Sequence, residues 1–476
     1  MLKIYNTLTK NKEKFVPLNP PFVGIYVCGP TVYDEPHLGH AKSYVSFDVV
    51  IRFLRASGYK VRYVQNITDV GHLLGEDEGE DRVQKKARLE KLEPVEIAQK
   101  YERIYFKYMD LLNCLRPDIS CRATGHIPEM IELVKTLLDK GYAYQTDGNV
   151  YYDISKFEEY GKLAGRKVEN LIHGTRVKTA EDKKHSADFA LWKKADDLHI
   201  MKWDSPWGEG YPGWHLECSV MSMKYIGPTL DIHGGGLDNQ FPHHECEIAQ
   251  SEAATGKQFV RYWMHNNMVR VEDEKMSKSL GNFITIKDLI EKYDPMTVRF
   301  FVLQGHYRSP QVFSEEALNA VQKGYQKLLR SIEKVRSLLS RESIQEVELK
   351  GKWKEFKDQF FGAMENDFNT AEAISVLFEL NKYVNDKIAD SSITDSELAN
   401  ADHLYSLLSE DILGLTFRND QQKSGQEAEL MDLIIGLREK FRTQKNWEAA
   451  DQIRDGLQKI GITLEDTKDG TVWRKE

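Results

Sequence analysis

The sequence predicts an α/β protein: a parallel-sheet domain split by an insertion, then an α-helical bundle and a small C-terminal unit. Three observations predict it. Gly24 to Val64 reads strand, loop, helix, strand, the order of a βαβ unit. A hairpin-rich stretch interrupts the chain between Pro117 and Lys194. From Pro295 onward the apolar residues recur at helical spacing.

Ile25 and Val27 alternate in a run that reads as a buried strand, stopped by Gly29-Pro30. His37-Leu38-Gly39-His40 follows. After it comes a helix bearing Ala41, Val45, Phe47, Val49, Ile51, Phe53 and Leu54, ended by Gly58. Val61 to Val64 is the next strand, so the sheet is Rossmann-like. Ligands of such sheets bind beyond the carboxyl ends of the strands, where helix N-termini point. His37 and His40 sit there, placed to touch a phosphate, and Gly39 lets the backbone approach closely. The same spacing also suits a helix start with one capping and one packed histidine. Asn66-Ile67-Thr68-Asp69 ends the second strand, where Thr68 is either a substrate contact or part of a turn. Residues 75–82 form an acidic loop, and a helix of mixed charge is expected from about Arg82 to Leu112.

The interrupting stretch begins with a helical face of Ile127, Met130, Ile131, Val134, Leu137 and Leu138, ended by Gly141. Tyr142–Thr146 and Val150–Asp153 around Asp147-Gly148-Asn149 then predict a β-hairpin. The sheet domain resumes near Ile200. Gly213-Trp214-His215-Leu216-Glu217-Cys218 opens a helix, Thr229 to His233 is a strand, and Gly234-Gly235-Gly236-Leu237-Asp238 follows it. Three glycines at a strand end let a ring or ribose lie against bare backbone, and Asp238 could accept from ribose hydroxyls; such a run also suits a plain flexible loop. His243 and Glu247 lie one helical turn apart on the next helix. They form either a surface pair or two ligands of one metal. Helical periodicity marks 317–339, 353–366, 370–388 and 397–409, with a polar linker over 418–426 and two helices split near Asn446.

At 476 residues the chain is long enough for two to four domains, and 41% apolar with 29% charged residues is the composition of a globular protein. No apolar run is long enough to span a bilayer, and the N-terminus lacks a signal-peptide layout. Five cysteines, Cys28, Cys114, Cys121, Cys218 and Cys246, argue against a disulfide framework and for a reducing, cytoplasmic setting. A formal charge of −9 gives no blanket attraction to nucleic acid, so RNA contacts must be local. A G-x-x-x-x-G-K-[ST] loop is missing, which excludes a P-loop ATP site.

Lys275-Met276-Ser277-Lys278-Ser279 places two lysines and two serines in a turn-rich loop suited to polyanions. This loop and the early histidine motif together resemble the two signatures of class I aminoacyl-tRNA synthetases. KMSKS is matched throughout, and Leu38 replaces the common isoleucine of the other. The segments around Cys28, Cys218, His233 and Asp367 resemble cysteinyl-tRNA synthetases in particular, over nearly the whole chain. That resemblance implies a zinc ion held by Cys28, Cys218, His243 and Glu247, leaving out His244 and Cys246. It implies ATP contacts from Gly29, His37, Gly39, His40, Gly234, Gly235, Gly236 and Asp238. Lys275, Met276, Ser277, Lys278 and Ser279 belong to the same ATP set. His37, His40, Lys275 and Lys278 would stabilise the charge that develops on phosphate. Cysteine would meet Gly29, Thr68, Trp214 and His233. Anticodon bases would meet Arg454, Asp455, Trp473 and Arg474, although Trp473 also suits packing of a small domain.

The implied organisation is a Rossmann-like catalytic domain in two halves, 1–116 and 200–268, with a connective-peptide insertion at 117–199. A KMSKS-loop connecting domain at 269–312, a helical bundle at 313–417, and a linker with an anticodon-binding domain at 418–476 complete it. The expected reaction is two-step: cysteine and magnesium-bound ATP give cysteinyl-adenylate, and the 3′ end of tRNA(Cys) then takes the cysteinyl group. Cysteine and serine differ only in S for O, which shape alone separates poorly; zinc prefers thiolate. Four protein ligands leave no open position, so either zinc becomes five-coordinate or Glu247 loosens. The chain is expected to act as a monomer. A cysteine ligase acting on an amino-sugar is the alternative, but it has no use for the helical tail. A non-catalytic tRNA-binding relative would not need pyrophosphate ligands.

Overall fold

The computed structural model describes residues 1–71, 81–166, 183–197, 199–271, 274–275, 283–339, 347, 349–417, 420–459, 461–467 and 470–475. Only backbone is described at 274–275, 420–429, 465–467, 470, 472 and 474–475. The chain divides into two compact units, Met1–Thr416 and Phe417–Glu476.

The first unit opens with an antiparallel pair, β1 (Lys3–Asn6) and β2 (Asn11–Lys14). The parallel sheet is built from β3 (Phe22–Val27), β4 (Lys60–Ile67), β5 (Ile119–Arg122), β10 (Leu230–Gly236) and β11 (Val260–Asn266). Its order is β11-β10-β3-β4-β5. Ile25 sits between Ile232 on one side and Tyr63 on the other, all buried, which is why these strands read as near-continuous apolar runs. The insertion forms its own antiparallel sheet from β6 (Ala143–Thr146), β7 (Asn149–Tyr152), β8 (Phe189–Lys194) and β9 (Gly210–Pro212). Thus β5, expected in the insertion, pairs with β4 of the parallel sheet, and β9, expected in the resumed domain, closes the insertion's sheet. Four- and three-residue strands are too short for periodicity to assign them to one sheet or the other.

Helix α1 (Leu38–Ala56) runs between β3 and β4. It buries residues on nearly every face because it packs both on the sheet and on the helix Pro295–Gln304. The helix expected from Arg82 to Leu112 is two helices, α2 (Arg82–Glu90) and α3 (Pro94–Leu111). Lys91 turns left-handed at φ 56° and Pro94 occupies the first turn of α3, where its missing N–H costs nothing. Helix α4 (Ile127–Asp139) and the later helices α5 (Trp214–Tyr225) and α6 (Glu245–Thr255) cover the sheet's other face and contact one another.

The chain then forms a small mixed sheet of β12 (Val269–Val271), β13 (Glu274–Lys275) and β14 (Gln311–Phe313), in the order β13-β12-β14. Between β13 and β14 lie α7 (Ile286–Lys292) and α8 (Pro295–Gln304). Arg299 of α8 is wholly buried. It forms an ion pair with Asp48 of α1 and donates to the carbonyls of Leu112 (2.8 Å) and Leu413 (2.8 Å). One guanidinium thus ties α1, the end of α3 and the end of the helical bundle. The bundle itself is α9 (Glu315–Leu338), α10 (Gly351–Glu365), α11 (Thr370–Ala389) and α12 (Asp395–Leu404), the last continuing as a wide turn over Tyr405–Ile412.

In the second unit, α13 (Asp420–Thr443) and α14 (Trp447–Gln458) are followed by the hairpin β15 (Ile462–Thr467) and β16 (Gly470–Lys475). The polar run expected as a linker is helical from Asp420. Asn446 separates the two helices, its side chain accepting from the N–H of Ala449. Among the described residues, no helix is long and apolar enough to cross a membrane.

Candidate active site and metal centre

A cavity of about 330 Å³ opens at the carboxyl ends of β3, β4 and β10, the position the topology demands. One end is lined by Cys28, Trp214, Cys218 and His243, the other by His37, His40, Met268 and Val269.

The cavity floor begins where β3 ends. The N–H of Gly29 donates to Asn66 Oδ1 at 2.7 Å, and a Cβ on Gly29 would stand 1.6 Å from the Asn66 carbonyl oxygen. Only glycine allows that approach. Asn66 Nδ2 donates to Thr68 Oγ1 (3.1 Å), and Thr68 donates to Glu217 Oε1 (2.6 Å). Burial, with Asp69 and Glu247 nearby, pushes the Glu217 carboxyl well above the usual range.

His37 is the N-cap of α1: its Nδ1 accepts from Gly39 N at 3.1 Å, while His40 Nδ1 accepts from His37 N at 3.1 Å. The two rings stack at 3.8 Å. With both Nδ1 atoms accepting backbone hydrogens, the neutral rings carry their hydrogen on Nε2, so each is a donor. The helix N-terminus adds its own positive end. The expected capping role is thus seen in the capping box, and both residues also line the cavity. Lys275 ends β13 opposite Arg270. Met276, Ser277, Lys278 and Ser279 lie outside the described residues, as does the Lys275 side chain. The chain re-enters against the histidine motif: Leu38 N donates to Ile284 O (3.0 Å) and Phe283 meets His37 edge-on.

The metal-ligand types converge. Cys28 follows β3, Cys218 lies on α5, His243 lies in the wide turn Gln240–His244 that leads into α6, and Glu247 lies in the first turn of α6. Their ligand atoms all fall within 4.8 Å of one another, fully buried. The two sulfurs are 3.9 Å apart, and His243 Nε2 is 3.1 Å from Glu247 Oε1. His215 Nδ1 meets His243 Nδ1 at 2.8 Å, which leaves His243 Nε2 toward the sulfurs, and His233 Nε2 holds Glu247 Oε2 at 2.7 Å. Orienting partners of this kind typify a metal site. Burial pushes the Cys28 thiol up to about 11 and that of Cys218 well above its usual value, so both are neutral without a cation. Two thiols, one imidazole and one carboxylate facing a common point fit zinc by chemistry and number.

A second set, Cys28, His233, His244 and Glu247, overlaps the first. Its imidazoles are more committed. His244 Nε2 meets Cys28 Sγ (3.1 Å), and its Nδ1 meets His265 Nε2 (2.8 Å). Burial and the neighbouring imidazoles hold His244 well below its usual range, and burial takes His265 down to about 3. The Cys246 thiol pairs instead with the Tyr160 hydroxyl at 3.3 Å.

Several expected contacts fall elsewhere. His233 does not line the cavity. It is wholly buried behind Glu247 and stacks on Trp263 at 4.6 Å. The three glycines lie within β10 itself. A Cβ on Gly234 would strike Phe47 of α1 at 2.3 Å, and one on Gly235 would meet His244 at 2.8 Å, so two of them serve packing. Gly235, Gly236 and Asp238 do line the cavity. Trp214 lines it too and stacks on His243 at 4.4 Å. In the second unit, Trp473 packs against the small core of Met431, Leu457 and Ile462. Arg454 and Asp455 are exposed neighbours on α14, the first also 3.2 Å from Asp451. The Arg474 side chain lies outside the described residues. His215, Asn66, Glu217 and His265 help to build the site, and sequence reasoning misses them. Only His215 leaves a trace, three residues before Cys218 and so on its helical face.

Residues 14–323 match the family described as tRNA synthetases class I (C) catalytic domain. Residues 359–418 match the DALR domain, and 432–474 match the cysteinyl-tRNA ligase anticodon binding domain. The methionyl-tRNA synthetase of Mycobacterium tuberculosis bound by methionyl-adenylate shares the fold at a TM-score of 0.61. Its identity is 15%, with 82% of this chain and 92% of that one covered. Sheet order, cavity position and these matches define a class I aminoacyl-tRNA synthetase. The Cysteine--tRNA ligase of Chlorobaculum tepidum is 51% identical, over 100% of this chain and 99% of its own. That of Thermus thermophilus is 49% identical, over 100% of this chain and 99% of its own. The chain belongs to the cysteinyl-tRNA synthetase family.

Proposed function

We propose that the chain activates L-cysteine with ATP and transfers it to the 3′ end of tRNA(Cys). The carrying observation is the cavity itself, with a buried thiol-imidazole-carboxylate cluster at one end and two stacked histidines at the N-terminus of α1 at the other. The cysteine carboxylate attacks the α-phosphorus of ATP, and the bond to the bridging oxygen breaks, releasing pyrophosphate with magnesium. His37 and His40 donate from Nε2 to phosphate oxygens as charge shifts onto them, aided by the N-terminus of α1. Lys275 and Lys278 are proposed to close over the leaving group from their loop. A terminal ribose hydroxyl then attacks the acyl carbon, and AMP leaves.

Cys28, Cys218, His243 and Glu247 would hold zinc, with His215 and His233 orienting two of them. When bound, zinc lowers the pKa of a substrate thiol and prefers thiolate sulfur to hydroxyl oxygen. Trp214 covers this end of the cavity, and the Asn66–Thr68–Glu217 chain fixes Gly29 beside the substrate. Placement of tRNA as acceptor is supported by the anticodon-domain match at 432–474. Arg454, Asp455 and Arg474 remain proposed anticodon contacts, while Trp473 supports them from the small core. None of the five cysteines is in a disulfide, which suits a reducing cytoplasmic setting. Cysteine-dependent pyrophosphate exchange tests activation. Exchange with cysteine and none with serine is expected; equal exchange with both would contradict the selectivity.

A further inference from the structure

The turn of Asn366, Asp367, Phe368 and Asn369 joins α10 to α11, and no step above uses it. Asp367 is fully buried, and its carboxylate meets three donors. The Tyr307 hydroxyl and the Tyr5 N–H reach Oδ1 at 2.8 Å each, and Arg308 Nε reaches Oδ2 at 2.7 Å. His306 Nε2 lies 3.6 Å from Oδ2. Asp367 and Phe368 both hold positive φ, 66° and 53°, a conformation that side chains adopt only when their surroundings enforce it.

Two of the three donors to Asp367, Tyr307 and Arg308, belong to residues 306–311, and the backbone of that same segment supports the cavity. Tyr307 O accepts from Asn267 N at 2.9 Å, and Arg308 O accepts from Asn267 Nδ2 at 3.0 Å. Gln311 N donates to Met268 O at 3.2 Å. Asn267 and Met268 line the cavity, and Val269 starts the strand whose Arg270 pairs with Lys275. On its other side the segment is held by Lys42, two residues beyond His40. Buried Lys42 donates to Ser309 O (3.0 Å) and Gln311 Oε1 (3.2 Å). Residues 306–311 therefore touch both walls of the cavity's phosphate end while being anchored in the bundle.

We propose that Asp367 is a positioning residue: it locks residues 306–311 as a bracket that sets the spacing between Asn267–Met268 and the start of α1, and so tunes ATP binding. The inference rests on the ATP site proposed above. The chemistry at Asp367 is specific. An asparagine can accept from Tyr307 and Tyr5 through Oδ1, but its Nδ2 would face Arg308 Nε, donor against donor. Asp367→Asn should therefore free Arg308 while keeping volume. Tyr307→Phe removes a single hydroxyl and nothing else.

The test is calorimetric titration of the full chain with ATP alone and with cysteine alone. Asp367→Asn is expected to raise the Kd for ATP about tenfold and Tyr307→Phe about threefold. The Kd for cysteine should stay within twofold in both. An ATP affinity within twofold of wild type, with the thermal transition intact, would overturn the proposal. Equal loss of ATP and cysteine affinity would overturn it too, because it would mark general loosening. If Asp367→Asn does not fold, Tyr307→Phe decides by the same criteria. Cysteine-dependent pyrophosphate exchange is measured separately, so a failure of the proposed activity shows as a silent wild type while the binding shift still decides the bracket.

Discussion

Replacing His215 by phenylalanine isolates one interaction of the proposed zinc centre. For His243 Nε2 to present a lone pair, His243 Nδ1 must carry the hydrogen, and His215 Nδ1, 2.8 Å away, must accept it. Phenylalanine keeps the buried volume and the edge contact with Phe189, whose ring centre is 5.8 Å from that of His215, so the fold should hold. What is lost is the acceptor. Orienting partners of this kind are worth about 10- to 100-fold in metal affinity. The Trp214 ring, stacked on His243 at 4.4 Å, still restrains the imidazole plane. The lower end is therefore expected: about tenfold weaker zinc binding, or ~1.4 kcal/mol. Competition against a chromophoric chelator measures it. Cys218→Ser, which removes a ligand outright, should lose more. Zinc affinity within twofold of wild type in His215→Phe, or a larger loss there than in Cys218→Ser, would refute the assigned roles.

Arg299→Ala takes the guanidinium from the carbonyls of Leu112 and Leu413 and one of two arginines from buried Asp48, which Arg52 Nε still meets at 2.8 Å. The expected cost in urea unfolding is about 1–3 kcal/mol; a loss under about 0.5 kcal/mol, the scatter for a surface change, would show the buried guanidinium to be dispensable. Gly29→Ala places a methyl where the Asn66 carbonyl already stands, 1.6 Å away, and should abolish cysteine-dependent exchange in a folded protein; retained exchange would mean that β3 shifts freely. Burial holds the Lys42 ammonium at about 8, below its ordinary 10.5. The unfolded chain thus binds the extra proton between those values, so this contribution to stability is present above 10.5 and lost as pH falls through 8. Between pH 7 and pH 10 wild type should gain about 2 kcal/mol relative to Lys42→Met. Parallel pH profiles of the two proteins would contradict it.

Legibility follows range. The β3–α1–β4 unit is local, and Ile25, Val27 and the helical run after His40 announce it without tertiary information. The candidate ligands Cys28, Cys218, His243 and Glu247 become a set only through the family resemblance; His243 and Glu247 show a helical spacing, but the chain separations of the two cysteines carry no such signal. The imidazole network is hidden for the same reason. His243 finds His215 across 28 residues and His244 finds His265 across 21, contacts that exist only once α5, α6 and β11 are packed. Gly234 shows the limit of motif reading. Its bare backbone admits Phe47 of α1, a packing demand that looks the same in sequence as a ligand cradle. The break between α2 and α3 is readable in principle at Pro94, but mixed charge on both sides conceals it. For Trp473 the sequence leaves packing and base stacking open, and the core of Met431, Leu457 and Ile462 supplies the packing.

The most direct test of the account is transfer of labelled amino acid to tRNA(Cys) in the presence of ATP, with cysteine and serine compared at equal concentration. The account predicts that cysteine accumulates on the 3′ end and serine does not. Charging by both would contradict selection at the thiol-imidazole-carboxylate end of the cavity. Formation of cysteinyl-adenylate with no charging would contradict tRNA as the acceptor.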